Sequence, residues 1–530
     1  MLKTLFVFCP VFFLTSLCAQ NKIDVLHYRF AIELSDLSDS IYGNASIKIK
    51  FNHPADSFSL DLKAISPNKG MLAYAYSGEN AETLIGKQTG DKLIIKLPEP
   101  TKKDDVKDIV IKYKGIPSDG LIISKTKYGQ RSFFADNWPN RGHNWIPCVD
   151  DPSDKASVEF IVTAPQHYQV VANGILVEET NLPENKKLTH WKEDVPVATK
   201  VMVIGAADFA VNLAGMVDNC IPVYSWVYPQ DRDKGFYDYE QAMEILPFFI
   251  KNVGPYGYKK LANVQSRTMF GGLENASTIF YAENTVDGTR KSESIMSHEI
   301  AHQWFGNMAT EKSFAHLWLS EGFATYFTIL YFEKKYGKDT AVAMLKEDRN
   351  QVIAFTKKSD KPVVDEDPDY MKLLNANSYQ KGSWVLHMLR RELGDSVFYK
   401  SIKAYYSAYA GKNADTKDLQ QIFEKISGKN LSTFFQQWLY TPGVPKLDIS
   451  WNYLAKEKKL SLTIKQLQKT AFVFPLELQL NNTSGDHSTK TINISKPEET
   501  IYIPVKEKPI KIILDPKTSL LFTGAATEKK

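Results

Sequence analysis

From about Ile23 to Ala210 apolar residues alternate with polar ones, or run together in short stretches, between turn-rich joints. Ala45-Ser-Ile-Lys-Ile-Lys-Phe51, Lys92-Leu-Ile-Ile-Lys-Leu97 and Val158-Glu-Phe-Ile-Val162 are of this kind, and they predict strands. Around Asp238 the period becomes helical. Asp238–Val253 reads as a helix closed by Gly254-Pro-Tyr-Gly, and Lys260–Gln265 as a strand. Further helices are predicted between Ser292 and Gly306, from Glu321 to Tyr336-Gly337, and over Asn377–Leu393, Ser396–Ala410, Thr416–Ser427 and Leu431–Leu439. A turn-rich linker, Trp438-Leu-Tyr-Thr-Pro-Gly-Val-Pro445, ends this region. Alternation then returns at Leu447–Trp451, Leu460–Ile464, Phe472–Leu480 and Ile510–Leu514. The expected fold class is multidomain α+β: an all-β domain at 21–212, a mainly helical domain with a small edge sheet at 213–443, and a small β-sandwich at 444–530.

Composition adds little to this picture and excludes some functions. With 65 Lys+Arg against 61 Asp+Glu, nothing points to a nucleic-acid partner. No internal repeat or low-complexity tract interrupts the 530 residues. Met1-Leu-Lys3, the apolar run Leu5–Leu17 and Cys18-Ala-Gln20 read as a secretory signal peptide at 1–20, so export to a periplasm or the medium is expected. The run is too short to span a membrane. A lipid anchor on Cys18 is the alternative, although Leu17 is bulky where such signals carry a small residue. Without the signal only Cys148 and Cys220 remain, and their pairing is left open.

Chemistry concentrates in Ser292-Glu-Ser-Ile-Met-Ser-His-Glu-Ile-Ala-His-Gln-Trp-Phe-Gly306. His298 and His302 stand one helical turn apart, so both imidazoles can reach one ion, and Glu299 can reach what that ion binds. A hydrolytic zinc keeps three protein ligands and one open position. Glu321, after a gap of eighteen residues beyond His302 in Leu317-Trp-Leu-Ser-Glu-Gly322, is the expected third.

His298-Glu-Ile-Ala-His302, that gap and Trp318-Leu-Ser-Glu-Gly322 resemble the gluzincin aminopeptidases, the family of aminopeptidase N and leukotriene hydrolase. Gly271-Gly-Leu-Glu-Asn275 is similar to the family's G-x-M-E-N motif, with Leu273 for the usual Met. The resemblance implies a saddle-shaped N-terminal β domain, a thermolysin-like catalytic domain and a C-terminal β-sandwich. It also implies a short, bacterial-like member without the long helical domain of larger relatives. One Zn2+ is expected on His298, His302 and Glu321. The implied reaction removes N-terminal residues from peptides, with a zinc-bound water as nucleophile, Glu299 as general base and Tyr379 as oxyanion donor. Tyr379 matches the family's Y-x-K-G stretch in Tyr379-Gln-Lys-Gly382. Gly271, Gly272, Leu273, Glu274 and Asn275 are the expected substrate-binding residues, Glu274 holding the free amine. Met269, Phe270 and Leu273 hint at an apolar wall for the first side chain. Asp136 or Asn137 is a candidate second amine contact, each equally suited to a turn before Trp138-Pro139.

Trp145-Ile-Pro-Cys-Val-Asp-Asp-Pro-Ser-Asp-Lys155 also matches a family stretch and reads as a stiff packing turn without chemistry. Two departures, Ser320 for Asn and His316 for Asp, leave the ligand set intact and bear on what surrounds Glu321. The competing classes are a thermolysin-like endopeptidase, an epoxide hydrolase on the same zinc, and a non-catalytic binding protein. The Glu274 motif argues against the first, and the complete set of ligands and base against the last.

Overall fold

The computed structural model describes residues 23–78, 82–483 and 485–529; the expected signal peptide and Cys18 lie outside the described residues. Alternation is what builds the first region. Ile41–Phe51 buries Ile41, Gly43, Ala45, Ile47, Ile49 and Phe51 and turns the residues between them outward. It is one strand of a seven-stranded sheet, in the order 175–182, 186–198, 155–165, 23–33, 41–51, 106–116, 70–77. Pairing there is antiparallel except between Ile23–Glu33 and Lys155–Pro165. A four-stranded sheet (169–172, 204–207, 131–135, 121–125) and a three-stranded one (57–61, 92–96, 85–89) complete it.

A five-stranded sheet opens the next region, in the order Ala210–Val217, Ile221–Val227, Leu261–Ser266, Thr278–Ala282, Gly272–Leu273. Its last strand is two residues long and pairs on one side only, Gly272 with Tyr281 and Leu273 with Phe280. Nine helices follow or flank it among the described residues: α1 (Arg232–Tyr239), α2 (Ala242–Asn252), α3 (Glu293–His302), α4 (Trp318–Tyr336), α5 (Lys338–Thr356), α6 (Gly382–Leu393), α7 (Asp395–Tyr409), α8 (Thr416–Ser427) and α9 (Ser432–Leu439). The expected helix Asp238–Val253 is in fact the end of α1 and all of α2, broken at Glu240–Gln241. Helix α4 starts three residues before Glu321, so the glutamate sits within its first turn rather than opening it. Helix α5 was not expected. Only Ala341, Leu345 and Val352 of its nineteen residues are buried, too sparse a stripe to stand out.

The chain ends in two sheets, one of four strands (498–504, 459–466, 446–454, 523–528) and one of three (487–494, 474–481, 511–514). Their inner faces carry Leu460, Leu462, Ile464, Leu476, Leu478 and Leu480, all at most 2 % exposed. Cys148 is buried, Cys220 exposed, and neither forms a disulfide. No described helix is long and apolar enough to cross a membrane.

Candidate active site

Helix α3 presents His298, Glu299 and His302, and the first turn of α4 presents Glu321 opposite them. The Nε2 atoms of the two histidines are 3.1 Å apart, and Glu321 Oε2 lies 3.2 Å from each. Donor atoms about 2.0–2.1 Å from a tetrahedral ion stand about 3.3 Å from one another, so this triangle has the size of a zinc face. His302 Nδ1 lies 3.0 Å from the carbonyl of Phe305 and 3.0 Å from Ser320 Oγ. Its proton therefore resides on Nδ1, leaving an Nε2 lone pair for a metal. Ser320, the departure noted above, thus acts on the orientation of His302. The other departure, His316, bonds Thr416 Oγ1 at 2.9 Å and takes no part in the ligand group.

Electrostatics make the same demand. Glu274, Glu299 and Glu321 are 4–5 % exposed and share one pocket. Burial raises the pKa of Glu274 and lifts Glu299 well above its usual value. Burial opposes ionisation of His302 too, yet the facing carboxylates, Glu321 first, outweigh it and raise this imidazole to about 10. The charged forms of these buried carboxylates would be stabilised by cations brought to them, a divalent ion among His298, His302 and Glu321 and an ammonium at Glu274. The residues present fit zinc.

Glu274 follows the edge strand Gly272–Leu273. Its backbone carbonyl accepts from Gln303 Nε2 at 2.9 Å and from Asn307 Nδ2 at 2.6 Å, which anchors the motif to the segment just after α3. The carboxylate is held differently. Its Oε1 is buried without a hydrogen-bond partner, a costly state for a charged oxygen unless a ligand completes it. Gly272 is required for close approach, since a Cβ there would overlap the Glu299 carboxyl group. Gly271, Gly272, Leu273 and Glu274 all line the pocket, whose volume is about 280 Å³. Asn275 does not: it is fully buried, and its peptide N–H donates to the Leu273 carbonyl at 2.9 Å, shaping the turn.

Tyr379 comes from a single wide turn, Asn377–Lys381, in π geometry just before α6. Its ring stacks on His298 with centroids 5.9 Å apart. Burial, then the carboxylates of Glu321, Glu274 and Glu299, hold its pKa well above the usual value, so the hydroxyl stays protonated and able to donate.

Neither candidate for a second amine contact is free. Asp136 is fully buried, pairs with Arg141, and accepts from Thr268 Oγ1 at 3.2 Å and the Met269 N–H at 3.3 Å. Asn137 donates to the carbonyls of Thr199 and Met202 and accepts from the Trp145 indole. Both polar groups are thus consumed, Asp136 in holding the loop ahead of Gly271 and Asn137 in tying residues 199–202 to Trp145. The apolar wall is also corrected. Met269 is 62 % exposed and lies outside the lining, whereas Trp138, Ile295 and Leu374 join Phe270 and Leu273 in it. Trp138 was within reach of sequence reading, being next to Asn137, but nothing local marked its ring as pocket wall. The stretch ending at Lys155 does more than pack. Lys155 Nζ donates to the carbonyls of Asn307 (3.0 Å) and Met308 (2.8 Å), steadying the residue that holds Glu274.

Residues 237–438 match the peptidase family M1 domain, and residues 25–201 match the peptidase M1 N-terminal domain. The chain belongs to peptidase family M1. Among M1 relatives, mitochondrial aminopeptidase 2 of Saccharomyces cerevisiae is 24 % identical over 90 % of this chain and 54 % of its own. Probable aminopeptidase 2 of Sulfurisphaera tokodaii is 25 % identical over 78 % and 54 %. The chain thus spans about half the length of the curated relatives it matches. The M1 fold is shared with Legionella pneumophila aminopeptidase A, crystallised with aspartic acid (TM-score 0.83, 18 % identity, 96 % of this chain and 60 % of that one). It is shared also with a point mutant of an M1 zinc metallopeptidase from Deinococcus radiodurans (TM-score 0.68, 21 % identity, 80 % and 96 %).

Proposed function

We propose that this protein is a zinc-dependent aminopeptidase, releasing residues one at a time from peptides with a free N-terminus. The observation that carries the reading is Glu274: a buried carboxylate with an unpartnered oxygen, just past an edge strand, in one pocket with the His298–His302–Glu321 triangle. An ammonium is the ligand such a group lacks, and an internal peptide segment offers none.

A zinc ion held by His298, His302 and Glu321 supplies Lewis acidity toward a carbonyl oxygen and toward a water molecule. Glu274 pairs with the α-ammonium and so sets the scissile bond one residue from the chain end. The peptide backbone runs along the free side of Gly272–Leu273 as an added strand. Glu299 takes the proton of the attacking water and hands it to the leaving amine. The Tyr379 hydroxyl donates to the carbonyl oxygen as it gains charge. Trp138, Phe270 and Leu374 exclude water around the first side chain.

The test compares a peptide with its N-acetylated twin, following products by mass. The free peptide should shorten from its N-terminus while the blocked twin stays nearly inert, and a chelator should abolish the reaction. Internal cleavage of both at similar rates would make the protein an endopeptidase. We propose in addition that residues 1–20 direct export. Mature protein recovered from producing cells should begin near Asn21, or at an acylated Cys18 if the lipid route is taken; an intact Met1 on the exported protein would refute both.

A further inference from the structure

A second cleft, of about 760 Å³, adjoins the catalytic pocket. The two share Gly271, Ile295, His298 and Tyr379, whereas Glu274 and Trp138 line the first alone. A peptide whose ammonium sat on Glu274 would pass His298 and Tyr379 and meet the second cleft there.

Two polar groups in that cleft are poorly partnered, one buried and one half-buried. Thr328, 4 % exposed on α4, has a hydroxyl with no hydrogen-bond partner. Asp348, on α5, accepts one hydrogen bond, from Ser383 Oγ at 3.5 Å, and no cation pairs with it among the described residues. Lys291, which also lines the cleft, is engaged by Asp287. Burial accordingly raises Asp348 to about 7. A half-buried carboxylate of this kind, with one long hydrogen bond, is stabilised by a cation brought to it. Position makes the substrate the natural source. Ser383 lies four residues past Tyr379 along the π turn and α6, a rise of about 6 Å, or roughly two residues of extended peptide.

We infer that Asp348 is a specificity-determining residue for the leaving peptide, favouring Lys or Arg at the second or third position of the substrate. This rests on the aminopeptidase reading and adds to it a residue that no ligand or base assignment includes.

The experiment uses peptides with a fixed N-terminal residue and Lys, Gln or Glu at position two or three, comparing kcat/KM for wild type, Asp348→Asn and Asp348→Lys. At one of the two positions wild type should prefer Lys over Glu by about tenfold, the scale of one close and partly shielded charge pair. Asp348→Asn should bring that ratio to within about threefold of unity, and Asp348→Lys should invert it. A wild-type ratio near one at both positions, or a ratio unmoved in the variants, overturns the inference. Should the variants fail to fold, the wild-type ratio still decides. If no peptide loses its first residue, it is the aminopeptidase reading that fails. Fluorescence anisotropy of C-terminally labelled Lys and Glu peptides then tests the cleft separately, and equal affinities would overturn the role of Asp348.

Discussion

Glu299 and Gly272 form a pair in which one residue acts and the other makes room. Glu299→Gln removes the proton acceptor and leaves His298, His302 and Glu321 untouched. It should retain metal, measured by elemental analysis, while kcat falls about 10²–10⁴-fold. Gly272→Ala reaches the same chemistry indirectly, because its Cβ would displace the Glu299 carboxyl group. It should also keep metal and lose mainly kcat, with little change in melting temperature; unchanged turnover would show that the pocket adapts freely. Glu274 stands apart from this pair. Its Ala variant should slow the free peptide far more than the N-acetylated one, narrowing the gap between them.

At the scale of elements, what places Tyr379 is a crossing of two glycines. A Cβ on Gly322, the residue after Glu321, would stand 2.8 Å from the Gly382 Cα and 3.2 Å from the Ser378 carbonyl. Helix α4 and the π turn ahead of α6 therefore touch backbone to backbone, one residue from Glu321 and three from the tyrosine. Gly322→Ala should cost about 1–3 kcal/mol in denaturant unfolding. It should also lower kcat, as the wedge moves the Tyr379 turn away from His298. Tyr379→Phe provides the comparison, with metal and stability kept and only the chemical step slowed, about 10²–10³-fold. If Gly322→Ala lost stability alone, the crossing would be packing without catalytic consequence.

At the scale of the whole molecule, the β region and the catalytic region are joined through buried charge. Lys200, 2 % exposed, pairs with Glu311, 1 % exposed, on the short strand Ala309–Glu311. Removing one partner strands the other in an apolar setting where it has no water. Glu311→Gln should cost about 3–5 kcal/mol in chemical denaturation, while the double change Lys200→Met with Glu311→Leu should recover most of that loss. Equal losses in single and double variants would mean that the pair is not the seam.

Much of this protein is legible in one dimension because backbone periods are local. A two-residue repeat decides which side of Ile41–Phe51 is buried, and a helical turn decides that His298 and His302 face one point, whatever else the chain does. Glu321 is read from the third ligand that a hydrolytic zinc needs and Tyr379 from motif resemblance, and the fold brings both beside those histidines. Local pattern could not say where polar side chains spend their hydrogen bonds. Asp136 and Asn137 suit an amine or a turn equally well by type; only partners up to about 130 residues away, Met202, Thr268 and Met269, consume them. By the same logic the supports of Glu274 come from Gln303, Asn307 and, behind them, Lys155, none marked by a motif of its own for that task. Secondary structure follows from interactions within a few residues, whereas desolvation and pairing depend on which distant groups the packed chain brings within about 3 Å.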